Sequence, residues 1–274
     1  MKSISLRPKV LLYLPLILMA VFYLLPLYVM LITGFKSFDE ISLRTMWALP
    51  HTIHFDNFIA AFEKLSPHLW NSLNMVIPAA LISSLLGSLN GYVLAKWKFP
   101  GADFIFPLIL FGMFIPYQSI LIPLVEFMRS IHLYGGLPGL VLTHVIYGLP
   151  ITTLTFRNYY AGIPKELVEA ARIDGAGMLG TYKHILLPIS IPAFVVVIIW
   201  QFTSAWNDFL FAVVLTDSSN WPITVALNNM AGSQIIAWNV QMAGSFLAAL
   251  PTLLVYVFLG RYFLRGLMAG ALKG

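Results

Sequence analysis

The sequence predicts an all-α integral membrane protein of six transmembrane helices, with a short cytoplasmic helix inserted between spans four and five. Three observations predict it. Of 274 residues, 59% are hydrophobic and only 10% carry charge, where a soluble domain would carry about a quarter. The apolar residues gather into runs of the ~20 residues that cross a bilayer core. Finally, twelve of the sixteen Lys and Arg residues fall on one side of the topology those runs define, the bias that orients membrane proteins.

The elements follow in order. Residues 1–9 form a cytoplasmic N-terminus carrying Lys2, Arg7 and Lys9. The uncharged run 10–33 is too long for the apolar core of a signal peptide and lacks a small-x-small cleavage site. It is span one, bent at Pro15 and Pro26. Residues 34–68 form an external loop with a short helix near Phe55–Lys64. Its charges, Lys36, Asp39, Glu40, Arg44, Asp56, Glu63 and Lys64, read as a solvated connector. The remainder, 69–274, is the membrane core.

Span two is Leu69–Ala95, apolar except for Asn71, Ser72, Asn74, Ser83, Ser84 and Asn90, and it ends at Lys96-Trp97-Lys98. Span three is Phe104–Val125, interrupted by Pro107, Pro116 and Pro123, which neighbouring helices can accommodate. Glu126 and Arg129 beyond its outer end read as a local ion pair. Span four, Gly135–Thr155, has the small residues that allow close helix packing. His144 within it reads as a buried histidine bonded to a neighbour, since no second ligand lies at metal spacing. A loop at 157–184 leads to a long span five, Ile185–Leu215, with Pro188 and Pro192 at its inner end. An external loop Thr216–Gln241 holds Trp221 and Trp238, read as interfacial aromatic anchors. Span six is Met242–Leu259, followed by a cytoplasmic tail, 261–274.

Six spans put both termini inside, and the charges agree. Lys2, Arg7, Lys9, Lys96, Lys98, Arg157, Lys165, Arg172, Lys183, Arg261, Arg265 and Lys273 fall inside; Lys36, Arg44, Lys64 and Arg129 fall outside. The net charge of +5 is thus topological, its bearers scattered singly at the ends of apolar runs, and it gives no nucleic-acid patch. Cysteine is absent, which excludes disulfides, thiolate metal sites and cysteine nucleophiles.

The cytoplasmic loop is the informative stretch. Pro164 suits a first helical position, where its missing N–H is no loss. Glu166 and Glu169 complement the helix dipole from the early turns. Gly175 can take the left-handed cap. Leu167, Ala170 and Ala171 share one face at helical spacing, and a face this rich in alanine permits close approach of another backbone. The segment reads as a helix outside the bilayer that docks into a groove on another protein.

The lettering sharpens this. Glu169-Ala170-Ala171, Gly175 after three residues, Ile185 after nine more, then Leu187-Pro188 resembles the EAA loop of binding-protein-dependent ABC importer permeases at every defined position. Asp174 lies within the same segment. Trp206-Asn207-Asp208-Phe209, Arg261-Tyr262-Phe263 and the Gly-rich Lys-Gly ending resemble the six-span permeases of maltose-type carbohydrate importers. The resemblance implies a coupling helix seated in an ATP-binding subunit, and residence in a bacterial or archaeal plasma (inner) membrane. It further implies a second related permease, two ATP-binding subunits that hold ATP and Mg, and an external sugar-binding protein. The tail would contact the ATPase dimer, and the loop at Asp217–Gln241 would face the binding protein. In maltose importers the membrane sugar site lies mainly in the partner permease.

No cofactor or metal site is legible in this chain. There is no G-x-x-x-x-G-K-[ST] phosphate loop, no metalloprotease or serine-hydrolase motif, and no carboxylate pair within a span. An intramembrane enzyme therefore lacks its machinery. An ion-coupled secondary transporter is the alternative, but it needs a charged group near mid-membrane, and the six runs hold none there. The best path-lining candidates are in span five: Gln201, Ser204 and Asp208 share a face, with Asn207 beside them. A straight helix puts Asp208 on the order of 30 Å from Pro188, a depth that favours a cap or an inter-subunit partner for it.

Overall fold

The computed structural model describes residues 6–97, 99–232 and 236–271, with side chains for 13–97, 99–232, 236–260 and 262. Lys2, Lys98, Lys273 and the Lys-Gly ending lie outside the described residues. Described secondary structure is helical, with one isolated parallel bridge between Gly135 and Thr216. Among the described residues four helices are long and apolar enough to cross a membrane, and the number rises to six if each of two bent pairs is one span.

The chain divides into two compact units, residues 1–66 with 227–249, and residues 67–226 with 250–274. In the first, α1 (Leu6–Gly34) carries Pro15 and Pro26 within it. It is followed by a short 3-10 turn and then α2 (Asp56–Lys96). The separate short helix expected near residues 55–64 is absent: those residues and span two form one helix, with Pro67 inside it. Lys36 departs further from expectation. It is 1% exposed, and its Nζ donates to the Thr45 carbonyl at 2.7 Å. Its backbone carbonyl and that of Gly34 accept the Asn57 amide, both at 2.9 Å, while Asn239 donates to Asn57 Oδ1 at 2.9 Å. This segment is a polar core, because backbone carbonyls exposed by the turn after α1 need donors.

The second unit begins within α2. Expected span three is broken: α3 (Ala102–Phe111) and α4 (Leu121–Ser130) belong to helical stretches that meet at 92°. Pro116 is the cause, since the residue before proline is driven out of the helical region, and Ile115 has ψ 116. Arg129 does not pair with Glu126. Its guanidinium lies 4.5 Å from the centre of the Tyr134 ring, and the described residues include no Arg–Glu salt bridge.

Next come α5 (Leu137–Ala161), α6 (Lys165–Ile173) and α7 (Met178–Thr181). A π turn at Tyr182–Leu186, α8 (Leu187–Ile189), α9 (Ile191–Trp206) and α10 (Leu210–Leu215) follow. Span five is accordingly not a straight rod, for the stretch 178–189 meets α9 at 77°. Finally α11 (Ile223–Ala231) and α12 (Trp238–Ala271) close the chain. The helical backbone of α12 continues well beyond Leu259.

Helices α2 and α5 cross where side chains are absent. A Cβ on Gly87 would lie 2.1 Å from Thr152 Oγ1, and one on Gly91 would lie 2.6 Å from the Arg157 backbone nitrogen. This small-xxx-small spacing lets two backbones touch in a membrane. The loop after α10 is bound to α2 by polar contacts. His68 Nδ1 and Asn71 Nδ2 meet the Trp221 carbonyl at 2.8 and 3.2 Å, and the Ile223 N–H donates to Ser72 Oγ at 2.8 Å.

Candidate coupling and translocation sites

Helix α6 is preceded by Pro164 with ψ 139, so proline occupies the cap rather than the first helical position. At the other end the N–H of Gly175 reaches the Arg172 carbonyl at 3.0 Å and that of Ala176 reaches the Ala171 carbonyl at 2.8 Å. This is a Schellman termination, which requires a left-handed residue, and Gly175 has φ 82. The inner side of α6 is Val168 and Ala171, each 4% exposed. Ala171 therefore does not share the outward face of Leu167 and Ala170 that their helical spacing had suggested. Those two point outward with Glu169, Asp174 and Gly175. Ile173, 87% exposed, extends the outer apolar surface. The Arg172 guanidinium stacks over Trp97 at 4.3 Å, tying α6 to the end of α2.

Beneath this segment lies a buried chain of hydroxyls. Tyr182 donates to Ser88 Oγ at 3.0 Å, Ser88 and Tyr160 are 2.6 Å apart, and Tyr160 donates to Ser190 Oγ at 3.0 Å. Ser190 then donates to the Leu187 carbonyl at 2.9 Å. Since Tyr160 has one proton and gives it to Ser190, Ser88 must donate to Tyr160. The chain thus runs one way, with every hydroxyl satisfied. Around it pack Tyr92, Phe156, Leu186, Ala193 and Val197, with Tyr92 and Tyr182 stacked at 5.7 Å. Leu187 joins this core from its edge, whereas Ile185 is half-buried and Pro188 exposed. Pro188 explains the π turn. It cannot donate to the carbonyl four residues back, and a local helix widening absorbs the fault; the Leu187 N–H reaches the Tyr182 carbonyl five residues away.

The four path candidates come together. Gln201, Ser204, Asn207 and Asp208 all line one cavity of about 650 Å³, with His144, Tyr147 and Gly148 of α5 opposite. Gln201 is 7% exposed and its amide donates to Ser83 Oγ at 3.0 Å. Gly148 leaves the room it needs: a Cβ there would lie 1.7 Å from Gln201 Nε2. Asp208 stands just before α10, where its carboxylate accepts the N–H groups of Phe211 at 3.3 Å and Ala212 at 3.0 Å. His144 Nε2 lies 3.4 Å from Asp208 Oδ2, both side chains about nine-tenths buried. That is ion-pair range without hydrogen-bond alignment, so the nitrogen has no bonded partner. The bend at Ser190 comes two residues after Pro188 and leaves α9 uninterrupted toward Asp208, whose two accepted N–H groups make it a cap on α10, the first of its two expected roles. Three parts of this site were missed in the sequence: the Tyr160 relay, the His144–Asp208 pairing and the glycines of α2. The repeated spacing Gly87, Gly91 was the legible signal for the last.

Apolar helices of membrane-crossing length, two broken helix pairs and an EAA-lettered helix with one face left exposed define a membrane permease. The chain belongs to the family of binding-protein-dependent transport system inner membrane components, whose sequence profile matches residues 83–268. It is a permease subunit of an ABC importer, a class in which ATP hydrolysis resides in a separate subunit. The membership displaces the ion-coupled alternative. A probable ABC transporter permease protein of Pyrococcus horikoshii is 47% identical over 270 residues, covering 97% of this chain and 98% of that one. A xylose/arabinose import permease protein of Haloferax volcanii is 38% identical, covering 91% and 89%. In fold, the chain is similar to a subunit of a bacterial ABC transporter that imports the acidic polysaccharide alginate. The TM-score is 0.80 at 21% identity, covering 96% of this chain and 100% of that one.

Proposed function

We propose that this chain forms half of the translocation path of a carbohydrate importer in a plasma (inner) membrane, with both termini cytoplasmic. Its complex holds a second related permease, two ATP-binding subunits carrying ATP and Mg, and an external sugar-binding protein. The relative named for xylose and arabinose import supports a sugar as cargo. The observation that carries the reading is the two-sidedness of α6. Val168 and Ala171 fix it inward, while Leu167, Glu169, Ala170, Ile173 and Asp174 are left exposed, an apolar and acidic surface suited to a groove.

In this reading ATP binding closes the ATPase subunits and draws the docked α6 with them. The segment from α6 to Pro188 is held at both ends, by Arg172 on Trp97 and by the hydroxyl chain through Tyr182 and Ser190. Its displacement reaches α9 through the bend at Ser190. Packed elements with two discrete arrangements convert such shifts into alternating access. Ile185 and Leu187-Pro188 shape that bend, and Gln201, Ser204, Asn207 and Asp208 line the path it opens.

The test is uptake by the assembled complex carrying Glu169→Lys or Gly175→Pro. Both variants should reach the membrane with their partners and lose ATP-driven sugar uptake. Normal uptake by both contradicts the reading.

A further inference from the structure

We infer that the cavity walled by α5, α9 and α10 is a sugar subsite belonging to this chain itself, shaped for a neutral, hydroxyl-rich ligand; the inference rests on the importer reading above. Its volume of about 650 Å³ suits a small-molecule site, which occupies roughly 300–1,000 Å³. No Lys or Arg lines it, and Asp208 is its one carboxylate. The Asp208 carboxylate is taken by two backbone N–H groups and faces His144 at 3.4 Å. An ionic ligand would therefore bring in a charge with nothing free to meet it, at a steep desolvation cost.

What remains open is neutral. Asn207 gives its amide N–H to the Thr203 carbonyl at 3.0 Å, which commits a donor and leaves the amide oxygen to accept. Ser204 is exposed in the cavity wall. Trp200, 56% exposed, and Tyr147 provide aromatic surface in the same wall. A sugar ring has an apolar face of C–H groups and a rim of hydroxyls that both donate and accept. Aromatic platforms beside uncharged polar atoms match both features.

The chain's lack of cysteine makes the test direct. Ser204→Cys is assembled with its partner permease and ATPase subunits in lipid nanodiscs. Its labelling by a methanethiosulfonate reagent is timed with D-xylose, D-glucose or D-glucuronate, and Ser219→Cys in the loop after α10 serves as the control thiol. Asn207→Cys is run in parallel, in case one substitution impairs assembly. At about ten times the half-protecting concentration, a neutral sugar should slow labelling at the cavity thiols about tenfold and leave the control unchanged. Trp200→Ala combined with Ser204→Cys should raise the half-protecting concentration. If the wild-type complex imports sugar but neither cavity thiol is protected by a neutral sugar, the subsite is wrong. Equal protection by glucuronate overturns the ligand class. If the wild-type complex with its binding protein imports no sugar, the importer reading fails first and takes the subsite with it.

Discussion

The Tyr160 hydroxyl lies 2.6 Å from Ser88 Oγ and donates to Ser190 Oγ at 3.0 Å, so one side chain of α5 ties α2 to the bend that precedes α9. The tie is fully buried. It joins the three elements that must move as one if displacement of α6 is to reach the cavity.

Tyr160→Phe removes the link while keeping the ring. Two buried hydroxyls then lose a partner, which costs on the order of 1–3 kcal/mol each where no water replaces it. The expected outcome is a complex that assembles and hydrolyses ATP but moves less sugar per ATP. Uptake and phosphate release measured on the same proteoliposomes check it. An unchanged ratio would make the hydroxyl chain a packing feature alone.

The crossing of α2 and α5 makes a separate prediction. At Gly91 a new Cβ meets the backbone of Arg157 at 2.6 Å and of Phe156 at 2.8 Å, atoms that cannot rotate away. Gly91→Ala should destabilise by about 1–3 kcal/mol through overpacking and lower the melting temperature of the complex. Gly260→Ala, with nothing within 4 Å of the new atom, is the control and should melt no lower than wild type.

Such crossings mark the boundary of what the sequence discloses. Apolar run length and the scatter of Lys and Arg carried the six-span reading, because bilayer thickness acts on each helix separately. The lettering from Glu169 to Pro188 carried the family, and the left-handed cap at Gly175 followed from local backbone preference. The bends at Pro116 and Ser190 did not follow, since membrane prolines are absorbed or expressed according to their neighbours; Pro67 lies inside a helix while Pro116 breaks one. Ala171 turned inward because Val168 rather than Leu167 meets the core, a choice between adjacent faces that one nine-residue helix cannot fix alone. Lys36 and the His144–Asp208 approach are tertiary outcomes, set by elements distant in the chain.

Lys36 also makes the account sensitive to pH. Burial holds its ammonium below the usual lysine range, partly offset by the Glu40 carboxylate. A lysine with a lowered folded pKa binds fewer protons folded than unfolded between that pKa and the ordinary 10.5. Its unfavourable contribution is therefore full at lower pH and fades as pH rises toward 10.5. The difference in melting temperature between wild type and Lys36→Met should shift in favour of wild type over that rise. A pH-independent difference would mean that the charge is solvated after all.

The central claim is that α6 is gripped from outside the chain by an ATPase. It is tested most directly by Ala170→Cys in this cysteine-free sequence, crosslinked with a short bifunctional thiol–amine reagent in the purified complex. The account predicts one dominant adduct joining this chain to the ATP-binding subunit, its yield changing when ATP is added. Labelling of Ala170→Cys from outside intact cells, or an adduct with no ATPase in it, would contradict the account.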